Sequence, residues 1–309
     1  MTCRGVITFA VLLLASLPGA MASAQEGAPG TRWTVEIGPR GESSNLVWNN
    51  GPSELDYHGL RGAGVGGRLR AFVGARGRAS LYLVGSGART RVEAGQARDS
   101  DWNHQGVEYS RSLSAVTGDR SKTLAAGGML RVDLSHRAPL RHLSIRVMRR
   151  RDETSLRKRD GEQVIPEGAS DTILAGLDSR YRARWKGLAL EGEVAFSMGE
   201  GSVTLGATGL PSVDFRGTGK WNLREDLAQP VSFVQEGNAR AAGGTVRYER
   251  PLGGRWLLAA EAGILRRTLR FGRDTLLLAD GGKLEGALRS ARQNDRGLEV
   301  RVVRDLSWN

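Results

Sequence analysis

Asp99-Ser100-Asp101-Trp102-Asn103-His104 gathers more chemistry-bearing side chains than any other short stretch of this 309-residue chain. On an extended backbone, residues two apart share a face. Asp99 and Asp101 would therefore project together, where they can hold a water, share a proton or take a cation. The same residues would also suit a solvated acidic loop, so their surroundings must decide. His104 is the histidine nearest the pair in sequence and the available proton acceptor for it. His58, His136 and His142 fall elsewhere. There is no H-E-x-x-H pattern, and the single cysteine, Cys3, rules out Cys-ligated zinc; no metal or other cofactor is expected.

A second cluster is basic: Arg149-Arg150-Arg151, followed by Arg157-Lys158-Arg159. Guanidinium forks match phosphate oxygens, and each cation near an anionic leaflet is worth about 1 kcal/mol. The run reads either as a rim that grips lipid phosphates or as a loop kept soluble by charge.

The elements that position these residues are strands. No helical period persists, whereas period-two alternation recurs throughout, which makes this an all-β protein. Ten strands are expected, at about 32 to 38, 65 to 74, 79 to 89, 123 to 133, 140 to 149, 173 to 186, 188 to 199, 241 to 250, 255 to 266 and 298 to 308. Lys186-Gly187 reads as a two-residue hairpin turn that sets Trp185 against Leu188, Arg182 against Glu191 and Arg180 against Glu193. The connections alternate in size: long at 39 to 64, 90 to 122, 150 to 172, 200 to 240 and 267 to 297, short at 75 to 78, 134 to 139, 186 to 187 and 251 to 254. Strands longer than globular ones, joined alternately by long and short connections, point to a closed antiparallel transmembrane β-barrel with five long external loops. Trp308 would sit in the aromatic girdle on the short-turn side.

Residues 1 to 24 read as a signal peptide. Arg4 precedes an apolar stretch from Val6 to Leu17, and Ala22-Ser23-Ala24 offers a cleavage site, leaving 25 to 309 as one barrel domain. Cleavage removes Cys3 and one positive charge from a chain of formal net charge +12. With 39% hydrophobic and 25% charged residues the chain is neither a disordered tail nor a disulfide-stapled miniprotein, and its low mean hydropathy excludes a bundle of membrane helices. For an exported protein, so basic a balance implies anionic lipid or phosphorylated sugar rather than nucleic acid.

The ten-strand, five-loop layout, the run Asp99-Ser100-Asp101-Trp102 and the segment Gly176-Leu177-Asp178-Ser179-Arg180-Tyr181 through Leu190-Glu191-Gly192 together resemble the omptins, ten-stranded outer-membrane endopeptidases. Asp99 to Trp102 followed by Tyr109-Ser110-Arg111-Ser112 is also similar to omptin-related outer-membrane proteins of the protochlamydial type. The resemblance covers most of the mature chain in layout and some 30 residues in motif. It implies an outer-membrane location, lipopolysaccharide at the rim, and an acid pair, here Asp99 and Asp101, facing an Asp-x-His dyad of the fourth loop across an attacking water. The dyad has no counterpart. Residues 200 to 240 contain Asp214, Glu225, Asp226 and Glu236 but no histidine, and Asp214-Phe215-Arg216 puts a guanidinium, which cannot accept a proton, where the base belongs.

The sequence thus leads to a monomeric surface barrel with a binding or structural role, whose loops meet lipopolysaccharide, peptides or host molecules. Two alternatives remain. One is an aspartic endopeptidase using Asp99, Asp101 and a relocated His104; the other is a narrow pore.

Overall fold

Alternating side chains and 43 glycines favour long, curved strands, and the computed structural model, which describes residues 32–134, 139–165 and 172–307, consists of them. The signal peptide, His136 and Trp308 lie outside the described residues. The strands are β1 (Arg32–Asn49), β2 (Ser53–Arg76), β3 (Ala79–Trp102), β4 (Glu108–Asp133), β5 (Leu140–Ile165), β6 (Thr172–Leu174), β7 (Ser179–Met198), β8 (Gly201–Lys220), β9 (Phe233–Gly253), β10 (Trp256–Leu277), β11 (Lys283–Leu288) and β12 (Ser290–Ser307). Ten of them pair antiparallel in sequence order and close where β12 meets β1; the short β6 and β11 attach to β5 and β10.

The ring of ten agrees with the expected count, but its members differ. Lys186-Gly187 is not a turn, because β7 runs straight through it and the turn falls at Gly199-Glu200, where Gly199 has φ +57°. Gly187 faces the interior instead, and a Cβ there would come within 2.7 Å of the Ser212 carbonyl oxygen. The segments expected at 173 to 186 and 188 to 199 are thus one strand, while β8 occupies the start of what reads as the fourth loop.

The cause is a reversal of polarity along β7. Above Lys186, Tyr181, Ala183 and Trp185 point inward and are buried, while Arg180, Arg182, Arg184 and Lys186 point outward. Below it, Leu188, Leu190, Val194 and Phe196 point outward, and Glu191 and Glu193 point inward. The predicted cross-pairs dissolve accordingly. Glu191 and Glu193 both meet Arg146 of β5, Arg182 meets Glu153 at 2.5 Å, and Trp185 packs on Phe215 with ring centroids 4.3 Å apart.

The same reversal divides the whole ring. Toward the short-turn end the outer face is apolar, with Ile37, Leu83, Leu124, Ile145, Ile264 and Leu298 all more than half exposed. Inside that half lies a charged network. Glu36 meets Arg70 at 3.1 Å, Arg247 at 2.8 Å and Arg301 at 3.2 Å, and Glu261 joins Arg247 and Arg301 at 3.2 Å each. The other half is built like a water-soluble cylinder. Its interior is an aromatic core of Trp48, Tyr57, Tyr181, Trp185, Phe215 and Phe233, all essentially buried.

The long segments are therefore not loops. Residues 39 to 64, 90 to 122, 150 to 165 and 267 to 297 mostly continue the barrel as strands; the connections at that end shrink to 50–52, 103–107 and 221–232, while β6 lies between β5 and β7 and β11 between β10 and β12. Alternation persists through these segments, but the switch of the apolar set to the inner face makes each read as a break.

Candidate functional site

Two structural facts position the acid pair. β3 continues to Trp102, and its alternation carries Asp99 and Asp101 onto the inner face above the aromatic core. Asp101 stands opposite Ser53 of β2 and Ser110 of β4; Asp99 stands opposite Leu55 and Ser112. Both carboxylates line a cleft of about 340 Å³ at the long-hairpin end, together with Ser53, Lys158, Gln163 and Arg224. Trp221, which packs on Phe233 at 4.6 Å, joins the cleft to the core beneath.

Each acid has its own partner. Lys158 of β5, only 3% exposed, places Nζ 2.9 Å from Asp99 Oδ2. Ser53 donates its hydroxyl to Asp101 Oδ1 at 2.5 Å, and Asn50, which accepts from the Ser53 backbone N–H at 2.9 Å, donates to Asp274 Oδ2 at 2.8 Å. Burial pushes the Asp101 carboxyl above the usual aspartate range, with the Asp99 charge adding to it and the Ser53 hydrogen bond opposing it. Burial likewise raises Asp274 against its bond from Asn50. On the loop between β8 and β9, Arg224 clasps Asp226 through two bonds of 2.8 and 2.6 Å, which raises the guanidinium and lowers the carboxyl.

Because the Ser53 bond favours ionised Asp101, removing it has a defined sign. Ser53→Ala will move the Asp101 titration to higher pH, read as the midpoint of its carboxyl ¹³C shift. A midpoint unchanged or lowered would show that Ser53 does not hold this carboxylate.

The other expected site residues separate. His104 sits exposed at the tip of the β3–β4 hairpin, outside the cleft lining. Arg150 faces inward and binds Asp152 at 2.9 and 3.0 Å, so only Arg149 and Arg151 of the basic run reach the outer surface. Asp214 is on the outer face of β8, away from the cleft, and Arg216 beside it pairs with Glu236 at 2.9 Å. Across from the acid pair, the 221–232 connection offers Arg224 instead. Lys158, Ser53, Asn50 and Arg224 were not singled out for the site from the sequence. Only the even-numbered inward rhythm of β5, from Arg150 through Asp152, Thr154 and Leu156, could have indicated Lys158. Among the described residues no three His, Cys, Asp or Glu side chains gather to hold a metal ion.

No protein-family model and no curated protein matches the sequence. Among solved structures, the outer membrane protease OmpT from Escherichia coli aligns over 92% of this chain and 100% of its own, with a TM-score of 0.67 and 11% identity. The fold is that of an outer-membrane β-barrel. The translocator domain of the autotransporter NalP from Neisseria meningitidis covers 97% of each chain at 12% identity, with a TM-score of 0.35. The outer membrane protein OprG from Pseudomonas aeruginosa covers 91% of this barrel and 99% of its own chain at 6% identity, with a TM-score of 0.32. Identities this low speak for architecture alone. In this barrel the cleft sits where the soluble-like half opens, and its chemistry follows from its own residues.

Proposed function

We propose that this protein is an outer-membrane barrel, omptin-like in form, that holds a peptide ligand in its external cleft without hydrolysing it. The observation that carries the reading is the buried Lys158 ammonium on Asp99. An acid pair that activates a water needs both carboxylates free to share it; here one is paired with an ammonium that is itself almost wholly buried. The pair becomes a fixed dipole that orients a ligand, with Asp101, Gln163 and the serine hydroxyls as its polar contacts.

The outer surface complements this role. Arg149 and Arg151 project beside Leu188 and Lys186 of the neighbouring strand, at the upper edge of the apolar band. There they would meet the phosphates of outer-leaflet lipopolysaccharide. The ion pairs that fill the lower interior speak against a pore.

One observation favours endopeptidase activity as the second reading: Asp101, with its raised proton affinity, sits two residues from another acid at the floor of a cleft. One experiment separates the two. The full chain, refolded in detergent with lipopolysaccharide, is offered a mixed peptide library beside Asp101→Asn and His104→Ala. Peptides retained intact by the native chain and by His104→Ala, and released by Asp101→Asn, are the expected result. Cleavage lost in both variants would establish the protease, and a folded barrel that retains nothing would overturn the binding role.

A further inference from the structure

β11 carries an unused edge. Leu277 of β10 spends its N–H on Ser232 and its carbonyl on Ala228, both on the β9 side, so the alternate residues of β10 face β11. Leu278 confirms the phase by donating to Gly282. Leu276 and Leu284, paired in register, therefore exchange backbone bonds, as do Asp274 and Gly286. The backbone groups of Lys283, Glu285 and Ala287 must then point the other way. Arg289, next in that series, donates to the Asn49 carbonyl at 2.8 Å, which identifies this edge as the one that β1 covers lower down.

β1 covers it no further. At Asn49 the chain turns through Asn50, Gly51 and Pro52 into β2, with Gly51 at φ +109° and the Asn50 side chain tied to Asp274. Among the described residues β11 pairs with β10 alone. Among the described residues the β11 edge above residues 50–52 therefore faces an open slot, with three residues' worth of backbone donors and acceptors that no strand pairs. Leu284 shares the face of its partner Leu276, which lines the cleft. A strand in the slot would thus point every second side chain into the cleft.

We infer that this slot binds an extended peptide of about five residues as an added antiparallel strand, continuing the direction of β1 along the free edge of β11. The inference rests on the proposed peptide-binding role and specifies its mode: backbone bonds supply the affinity, and the cleft reads alternate side chains. Lys283 and Glu285, charged and exposed on the outer face of so short an edge, oppose extended self-pairing and leave the slot for a single short guest.

The test uses the refolded full chain and the pentapeptide acetyl-Thr-Val-Thr-Val-Thr-amide, with a second copy of the peptide N-methylated at its two valines and a third at its threonines. Bound peptide should slow hydrogen exchange at the amides of Lys283, Glu285 and Ala287, and leave Leu284 and Gly286, already bonded to β10, as they were. One of the two methylated peptides should bind about tenfold or more weakly, as expected when two backbone bonds are lost. Glu285→Pro, which removes one edge donor at a position where proline is tolerated, should weaken retention in the same way. Retention that depends on Asp101 but leaves the three β11 amides unprotected would overturn the edge while preserving the cleft. Equal binding of all three peptides would do the same. Protection of those amides that rises with protein concentration and needs no peptide would overturn it in favour of a second copy of the chain.

Discussion

Ile145→Arg will destabilise the folded barrel in lipid vesicles by about 2 to 4 kcal/mol, the expected cost of an arginine facing hydrocarbon near the bilayer midplane. Ile145 is 61% exposed on the outer face of β5 and stands level with Gly192, midway down the outward apolar row of β7 from Leu188 to Phe196. The reciprocal change, Arg184→Ile on the outer face of the upper half, should stay within about 0.5 kcal/mol, as surface substitutions usually do. Denaturant titration of refolded protein in vesicles reads both. Equal costs at the two positions would refute the division of the outer face into a lipid-facing and a water-facing half.

The second large effect belongs to the interior. Glu36→Ala will cost about 3 to 5 kcal/mol, because it strands guanidiniums in a space that water reaches poorly. The Glu36 side chain is fully enclosed and meets Arg70, Arg247 and Arg301 together. Glu261, within 3.2 Å of two of those arginines, compensates only in part. Replacing one stranded cation as well, as in Glu36→Ala with Arg301→Met, should recover part of the loss. A single-variant midpoint within about 1 kcal/mol of the native one would show that the network is solvated and not a packed plug.

How far the sequence discloses the structure depends on where each residue falls relative to the reversal of polarity. Ten antiparallel strands, one end of tight turns and one end of long excursions are legible because lipid demands an outward apolar face over the lower half. The upper half obeys the opposite rule. A reader who tracks the apolar face meets a discontinuity at Lys186-Gly187 and places a turn there, although the backbone continues. The same discontinuity hides β8 and turns the upper parts of β2 to β5 into apparent loops. For the site, the Asp99 and Asp101 pair is legible because its spacing is local. Lys158 lies 59 residues from Asp99, and the two meet only through the registers of β3 with β4 and β4 with β5. Ser53 and Asn50 belong to a turn whose position depends on where β1 ends, and Arg224 to a connection that cannot be delimited before β8 is found.

The outward arginines of the upper half also set how deep the protein rides. Sinking by one residue pair, about 6 to 7 Å of strand, would draw Lys186 and Arg151 into hydrocarbon; rising by as much would lift Leu188 and its neighbours into water. Both displacements are uphill, so the barrel has a fixed waterline. From that line, the seven residues of β7 up to Ser179, which lines the cleft, climb roughly 15 to 20 Å at an ordinary strand tilt. That height exceeds the roughly 7 Å headgroup layer. The cleft therefore opens above the level at which lipid phosphates would lie against Arg149 and Arg151.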